Sequence, residues 1–183
     1  MIRLKQIILG MKTIVLIFLI LIGHVASSQS NPYPCKSSPQ HRQFDFWVGE
    51  WKVFLPDLKT QVGESKIEVG SDGCLILENW TSTGTNPTSG KSMNYVNPAT
   101  GKWEQLWVDS GINPNNPQKF DNGEYKDGAM RFDFKQHNVN GNAQIGRFIF
   151  FNLADKKVRQ FCQVSSNAGK TWVTQYDYYY VKK

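Results

Sequence analysis

Beyond residue 44, apolar and polar residues alternate in short runs broken by turn residues. Alternation puts successive side chains on opposite faces of an extended chain, so the pattern predicts strands. Runs at 50–54, 61–69, 74–81, 119–126, 129–136, 144–152, 157–165 and 171–181 read this way. Pro56-Asp57, Ser71-Asp72-Gly73, Asp127-Gly128, Asn140-Gly141 and Ala154-Asp155 supply reversals between them. The stretches 82–89 and 112–118, rich in Gly, Ser, Thr, Asn and Pro, read as loops. No long helical period follows the N-terminal segment.

The stretch 90–109 forms the most legible pair of strands. Asn97-Pro98-Ala99-Thr100-Gly101 is a turn, with Pro and Gly at positions that suit their backbone preferences. A loop of residues 98–101 sets Val96 opposite Trp103, Asn94 opposite Gln105 and Ser92 opposite Trp107. One face then carries Ser92, Asn94, Val96, Trp103, Gln105, Trp107 and Asp109, and the other Met93, Tyr95, Glu104, Leu106 and Val108. Amides and indoles on one face suit the wall of a pocket better than a plain core. About ten short strands with mostly sequential connections predict an all-β, antiparallel up-and-down barrel, since closure removes exposed edges.

Residues 29–43 are polar and broken by prolines, an irregular arm before a single barrel domain over 44–183. The densest aromatic cluster, Phe44 to Trp51, follows. Phe44 and Trp47 at helical spacing predict a short helical turn over one barrel end, acting as a hydrophobic plug or as a ligand lid; packing is the commoner use of such rings. Residues 1–28 read as a secretory signal peptide: a basic start (Arg3, Lys5, Lys12), an apolar run over 14–22, and Ala26-Ser27-Ser28 before a cleavage point. Met1 and Met11 both offer a start, because the segment from Met11 is complete alone. The run is short for a membrane span. The chain is therefore expected to be periplasmic or secreted, with no span after cleavage.

That leader changes the charge. The full chain carries +6, and removing its three basic residues leaves +3. Mild charge without a Lys/Arg cluster argues against a nucleic-acid partner. Export also makes a disulfide expected among Cys35, Cys74 and Cys162. Cys35 with Cys74 is the preferred pair: Cys35 lies in an arm that needs tethering and Cys74 opens a strand. Cys162, inside a strand, reads as a buried free thiol. Spacing alone does not fix the connectivity.

Candidate chemistry is sparse. Glu78 shares a face with Ile76 and Trp80, and Asp109 ends the strand of Gln105 and Trp107. Either is a candidate general base; the plainer reading pairs Glu78 with a buried arginine, Arg147 or Arg159, or with solvent. His41 and His137 are isolated in polar segments, so no metal or haem site is expected. No phosphate loop or nucleophile elbow appears. Ser165 to Trp172 is similar to an Asp-box with Asn167 in place of Asp, and one copy reads as a tight hairpin. Tyr176, Tyr178 and Tyr180 alternate along the last run, the pattern of a closing strand with half-buried rings or of an interaction surface.

Phe44 to Trp51, Asp72-Gly73-Cys74, Glu78-Asn79-Trp80, Gly90-Lys91-Ser92, Trp103 to Asp109, Val158-Arg159-Gln160 and Gly169 to Trp172 together resemble an uncharacterised family of bacterial exported proteins, a domain of unknown function with a lipocalin-like, calycin-type barrel. The resemblance spans nearly all of the chain after the leader and implies that fold and an exported life; it brings no established activity and no catalytic residues to carry over, and no cofactor is expected. It also agrees with the Cys35–Cys74 pairing. The leading expectation is a binder of a small, partly apolar molecule, with Trp80, Trp103 and Trp107 stacking on it, Ser92, Asn94 and Gln105 hydrogen-bonding it, and Asp109 near the mouth. An interaction module working through its loops or its Tyr-rich strand, and a hydrolase or isomerase using Glu78 or Asp109, are the alternatives.

Overall fold

The computed structural model describes residues 34–111 and 117–183. The expected leader lies outside the described residues. The described residues open with a short helix α1 (Pro34–Ser37) and two 3-10 turns, Gln40–Arg42 and Asp45–Trp47. Ten strands follow: β1 (Gly49–Phe54), β2 (Gln61–Gly70), β3 (Leu75–Ser82), β4 (Ser89–Asn97), β5 (Lys102–Asp109), β6 (Gln118–Lys126), β7 (Ala129–His137), β8 (Ala143–Leu153), β9 (Lys157–Ser165) and β10 (Val173–Lys182). Each pairs antiparallel with its sequence neighbour, and β1 pairs with β10, Trp51 opposite Lys182 and Val53 opposite Tyr180. The result is a closed up-and-down barrel of the lipocalin-like kind. Closure leaves no strand edge to template pairing with another chain.

The β4–β5 register is the one the turn dictates. Ser92 lies opposite Trp107, Asn94 opposite Gln105 and Val96 opposite Trp103, and the Asn97 carbonyl accepts from Gly101 N at 2.8 Å. Four register shifts depart from simple alternation elsewhere, on β1–β2 between Val53 and Phe54, on β5–β6 between Trp103 and Gln105, on β6–β7 between Asp121 and Glu124, and on β9–β10 between Thr174 and Tyr176. A bulge adds a residue on one strand and re-aims the side chains beyond it.

One end of the barrel is filled from the arm. Phe44 and Trp47 are fully buried, stacked on each other with centroids 5.0 Å apart, and Phe44 meets the edge of Phe150 at 5.0 Å. The Trp51 indole donates to the Trp47 carbonyl at 2.8 Å, fixing the turn against β1. The segment is a plug and not a lid. Phe132, Phe134, Phe148 and Phe150 continue this aromatic core from β7 and β8.

The arm is anchored at the same end. Cys35 and Cys74 form a disulfide closing a separation of 39 residues. Arg42 donates to the Gly73 carbonyl and Gln40 to the Gly101 carbonyl, both at 2.5 Å. Gly73, at φ +92°, lies so close to Lys36 that a Cβ would come 2.8 Å from its Cα. Here the turn requires glycine for both conformation and space. The disulfide is the mark of an oxidising environment. Among the described residues, no helix is long and apolar enough to cross a membrane.

Candidate functional site

The barrel half away from the plug holds a cavity of about 460 Å³. β3 and β5 give it one wall. Trp80 and Trp107 lie flat against the sheet because glycines on neighbouring strands leave room for their rings. A Cβ at Gly63 would fall 2.3 Å from Trp80, and one at Gly90 2.3 Å from Trp107. Trp107, so placed, donates its indole N–H to Asp109 Oδ2 at 2.8 Å, while Asp109 Oδ1 accepts from Gly111 N at 2.7 Å.

The facing wall comes from β10. The bulge before Tyr176 sets Tyr176, Tyr178 and Tyr180 on the inner face. Tyr176 and Tyr178 are stacked at 5.2 Å, and Tyr178 lies nearly parallel to Trp80 at 6.4 Å. Phe120 and Phe148 add apolar surface, and five glutamines (Gln105, Gln118, Gln136, Gln160 and Gln175) bring amides to the lining. Rings on two sides with a few convergent polar groups are what a small-molecule cavity needs.

Glu78 is the buried charge of this cavity, 3 % exposed. Oε1 accepts from Ser65 at 2.8 Å and from Tyr180 at 3.3 Å, and Oε2 accepts from Ser92 at 3.1 Å. A relay backs Ser92: Gln105 Nε2 donates to Asn94 Oδ1 at 2.6 Å, and Asn94 Nδ2 donates to Ser92 Oγ at 3.1 Å. Burial pushes the Glu78 pKa up to about 7, against the downward pull of the three hydroxyls. Burial likewise raises the phenols of Tyr176 and Tyr180 well above their ordinary value.

The arginine partners expected for Glu78 are elsewhere. Arg147 binds Gln163 and lies over Trp172, and Arg159 forms a two-pronged pair with Asp177. Both alternate with inward residues of their strands and so face out. Three hydroxyls take the place of a cation.

Of the expected binding residues, Trp80, Gln105, Trp107 and Asp109 line the cavity. Ser92 and Asn94 stand behind the lining, in the relay to Glu78. Trp103 does not reach it. It sits against Phe44 in the plug half, its indole donating to Gln43 at 3.2 Å. Six of them share the hairpin face read from the sequence, and Trp80 joins them from β3, but a face does not specify height along the barrel axis. The tyrosines of β10, read as a closing strand or an interaction surface, are cavity wall, and Ser65 and four of the glutamines are additions that the sequence does not single out. The strict Tyr alternation was their signal, and the bulge that aims it inward has none in the sequence.

Cys162 is a buried free thiol near Gln175, with its pKa pushed up to about 12 by burial, so it stays protonated and inert. The Asp-box-like segment is a hairpin turn. Asn167 Oδ1 accepts from Thr171 N, and Ser165 Oγ from Gly169 N, both at 2.9 Å. A broader groove of about 1060 Å³ crosses the outer surface near β6 and β7, but Lys119 on its wall is already paired with Glu104 and Asp121. Among the described residues, no group of His, Cys, Asp and Glu is placed to hold a metal ion.

Fold and site together define a closed ten-stranded barrel with a polar–aromatic interior cavity. Neither the protein-family models nor the curated proteins give a match to this chain. The functional reading therefore rests on the geometry of the site.

Proposed function

We propose that this protein is an exported carrier or sensor that holds a small, partly apolar molecule inside the barrel. The observation that carries the reading is the 460 Å³ cavity itself, walled by Trp80 and Trp107 on one side and Tyr176 and Tyr178 on the other. An interaction module has no use for such a space in its interior. An enzyme would need a second group poised beside Glu78, and its hydrogen-bond partners are all hydroxyls already committed to it.

The test is mass spectrometry of small molecules released by denaturing the processed protein, purified from its own compartment. The expected result is a stoichiometric compound that is absent from a Trp107→Ala preparation. An empty extract, together with tryptophan fluorescence unmoved by a broad panel of metabolites, would overturn the reading.

A further inference from the structure

The chemistry of the cavity narrows the class of ligand. Among the described residues that line it, none is Lys, Arg or His, while Glu78 and Asp109 both carry carboxyl groups. Barrels that hold fatty acids or other anions need a positive charge or a strong set of donors for the head group, because a buried anion without one is costly. Here the donors converge instead on a carboxylate of the protein.

The hydrogen bonds around Glu78 all run one way. Ser65, Ser92 and Tyr180 donate to it, and Gln105 and Asn94 donate along the relay that ends at Ser92. This arrangement suits the ionised carboxylate. A carboxylate has about four acceptor positions. Two donors occupy Oε1 and one occupies Oε2, which leaves Oε2 one position. What the site lacks is a counter-charge. Among the described residues, no salt bridge reaches Glu78, in contrast to Glu104, which has Lys119. The rings that flank the cavity supply the other half of a cation site, since the faces of Trp and Tyr attract an ammonium electrostatically. Trp80 and Tyr178 are nearly parallel, Tyr176 stacks behind Tyr178, and Trp80 is two residues from Glu78 on β3.

We infer that the cavity is built for an organic cation, a protonated amine on a small aromatic or apolar body, with its ammonium on Glu78 and its body between Trp80, Trp107 and the β10 tyrosines. This rests on the carrier reading and deepens it. The ligand completes the ion pair that the protein leaves half made, and the five amides hydrogen-bond whatever polar groups the body carries.

The titratable groups facing Glu78 are Tyr176, Tyr178 and Tyr180 on β10; Ser65 on β2 and Ser92 on β4 do not titrate, Asp109 on β5 shares the cavity, and Cys162 on β9 contacts Tyr176. The phenols and the thiol stay neutral well above pH 8, so Glu78 governs the response near neutrality. Binding an ammonium draws Glu78 into its ionised form and releases a proton.

The probes are 2-phenylethylamine, 2-phenylethanol and 3-phenylpropionate, which share one ring and differ in charge. They are titrated into the processed protein by calorimetry and tryptophan fluorescence. At pH 8 the amine is expected to bind at least about tenfold more tightly than the alcohol or the acid. Its affinity should fall about tenfold from pH 8 to pH 6 as Glu78 takes up its proton. Glu78→Gln should abolish both the preference and the pH dependence. Proton release at pH 6, where Glu78 is mostly protonated before the amine binds, is read in two buffers of different ionisation enthalpy and tests the wild type alone should that variant not fold. Equal binding of the alcohol or the acid, an amine preference that survives in Glu78→Gln, or no net proton release would each overturn the cation assignment while leaving a carrier in place. Failure of all three probes at millimolar concentration would also overturn it, and the carrier reading would still be decided separately by the extract.

Discussion

At the scale of single residues, Glu78 is a buried carboxyl whose ionisation costs stability. A carboxyl buried with hydroxyl partners and no cation holds its proton to about pH 7, whereas in the unfolded chain it lets go near 4.5. Between those values the unfolded state binds fewer protons, so this group makes the protein less stable as pH rises. Its contribution is intact below 4.5, and above 7 the full loss is about 3 kcal/mol. Glutamine keeps the shape and carries no charge. The gap in unfolding free energy between Glu78→Gln and wild type, from urea titrations, is expected to widen by about that amount from pH 4.5 to pH 8. A gap that stays constant would show that Glu78 ionises normally in the fold. Glu104 has the opposite sign: burial pushes its pKa up, but Asn97, Tyr95 and Lys119 together outweigh it and hold the pKa down, so its contribution is present at neutral pH and is lost as the solution is acidified. That Glu78 points inward is legible in Leu77-Glu78-Asn79-Trp80. That hydroxyls and not an arginine meet it is not legible: Ser92 and Ser65 lie on the neighbouring strands β4 and β2, but Tyr180 on β10 reaches Glu78 only because the barrel closes.

At the scale of strands, glycines position the aromatic wall. Trp80 faces Ser65 across β2–β3, but its ring reaches diagonally over Gly63; Trp107 faces Ser92, and its ring reaches over Gly90. Diagonal neighbours are within reach of an indole, and it can lie flat only where the facing residue has no side chain. A methyl at Gly90 would sit 2.3 Å from the Trp107 ring and 3.1 Å from Asp109 Cβ, so the indole must move and lose its bond to Asp109. Gly90→Ala is expected to cost about 1–3 kcal/mol, the range for overfilling a packed site, and to shift tryptophan emission. Adding Trp107→Leu should recover part of that stability, a coupling a double-mutant cycle would detect. Strict additivity would mean that the ring does not depend on Gly90. The hairpin itself was readable because its turn fixes the register and the register fixes the faces. β10 was readable only as a closing strand: one extra residue at Gln175 decides where its tyrosines point, and nothing in the sequence marks that position. Trp103 shows the remaining gap. Its face was right and its end of the barrel wrong, because alternation distinguishes inside from outside and says nothing about where a plug will stop.

At the scale of the whole molecule, the barrel divides its labour between its ends. The plug end carries the disulfide, the arm and the aromatic core of Phe44, Trp47 and Phe150, while the other holds the cavity with Glu78 inside it. The strands that connect the two ends are held by ladders that run fully around the barrel, so neither half depends on the other for closure. The disulfide closes a separation of 39 residues, and loop entropy assigns such a link about 4 kcal/mol at most. It acts mainly by restraining the unfolded chain and by keeping the arm docked, which holds the plug in place. Replacing both Cys35 and Cys74 by Ser is therefore expected to lower stability by about 2–4 kcal/mol, with the far-ultraviolet circular dichroism of the barrel unchanged. Ligand affinity should stay within about twofold of wild type, because neither Cys35 nor Cys74 lines the cavity and the plug meets it only through packed rings that the closed barrel holds in place. A large loss of affinity in that variant would mean that the plug transmits its position through the Phe148 and Phe150 rings to the tyrosine wall, and that the two ends work as a single unit.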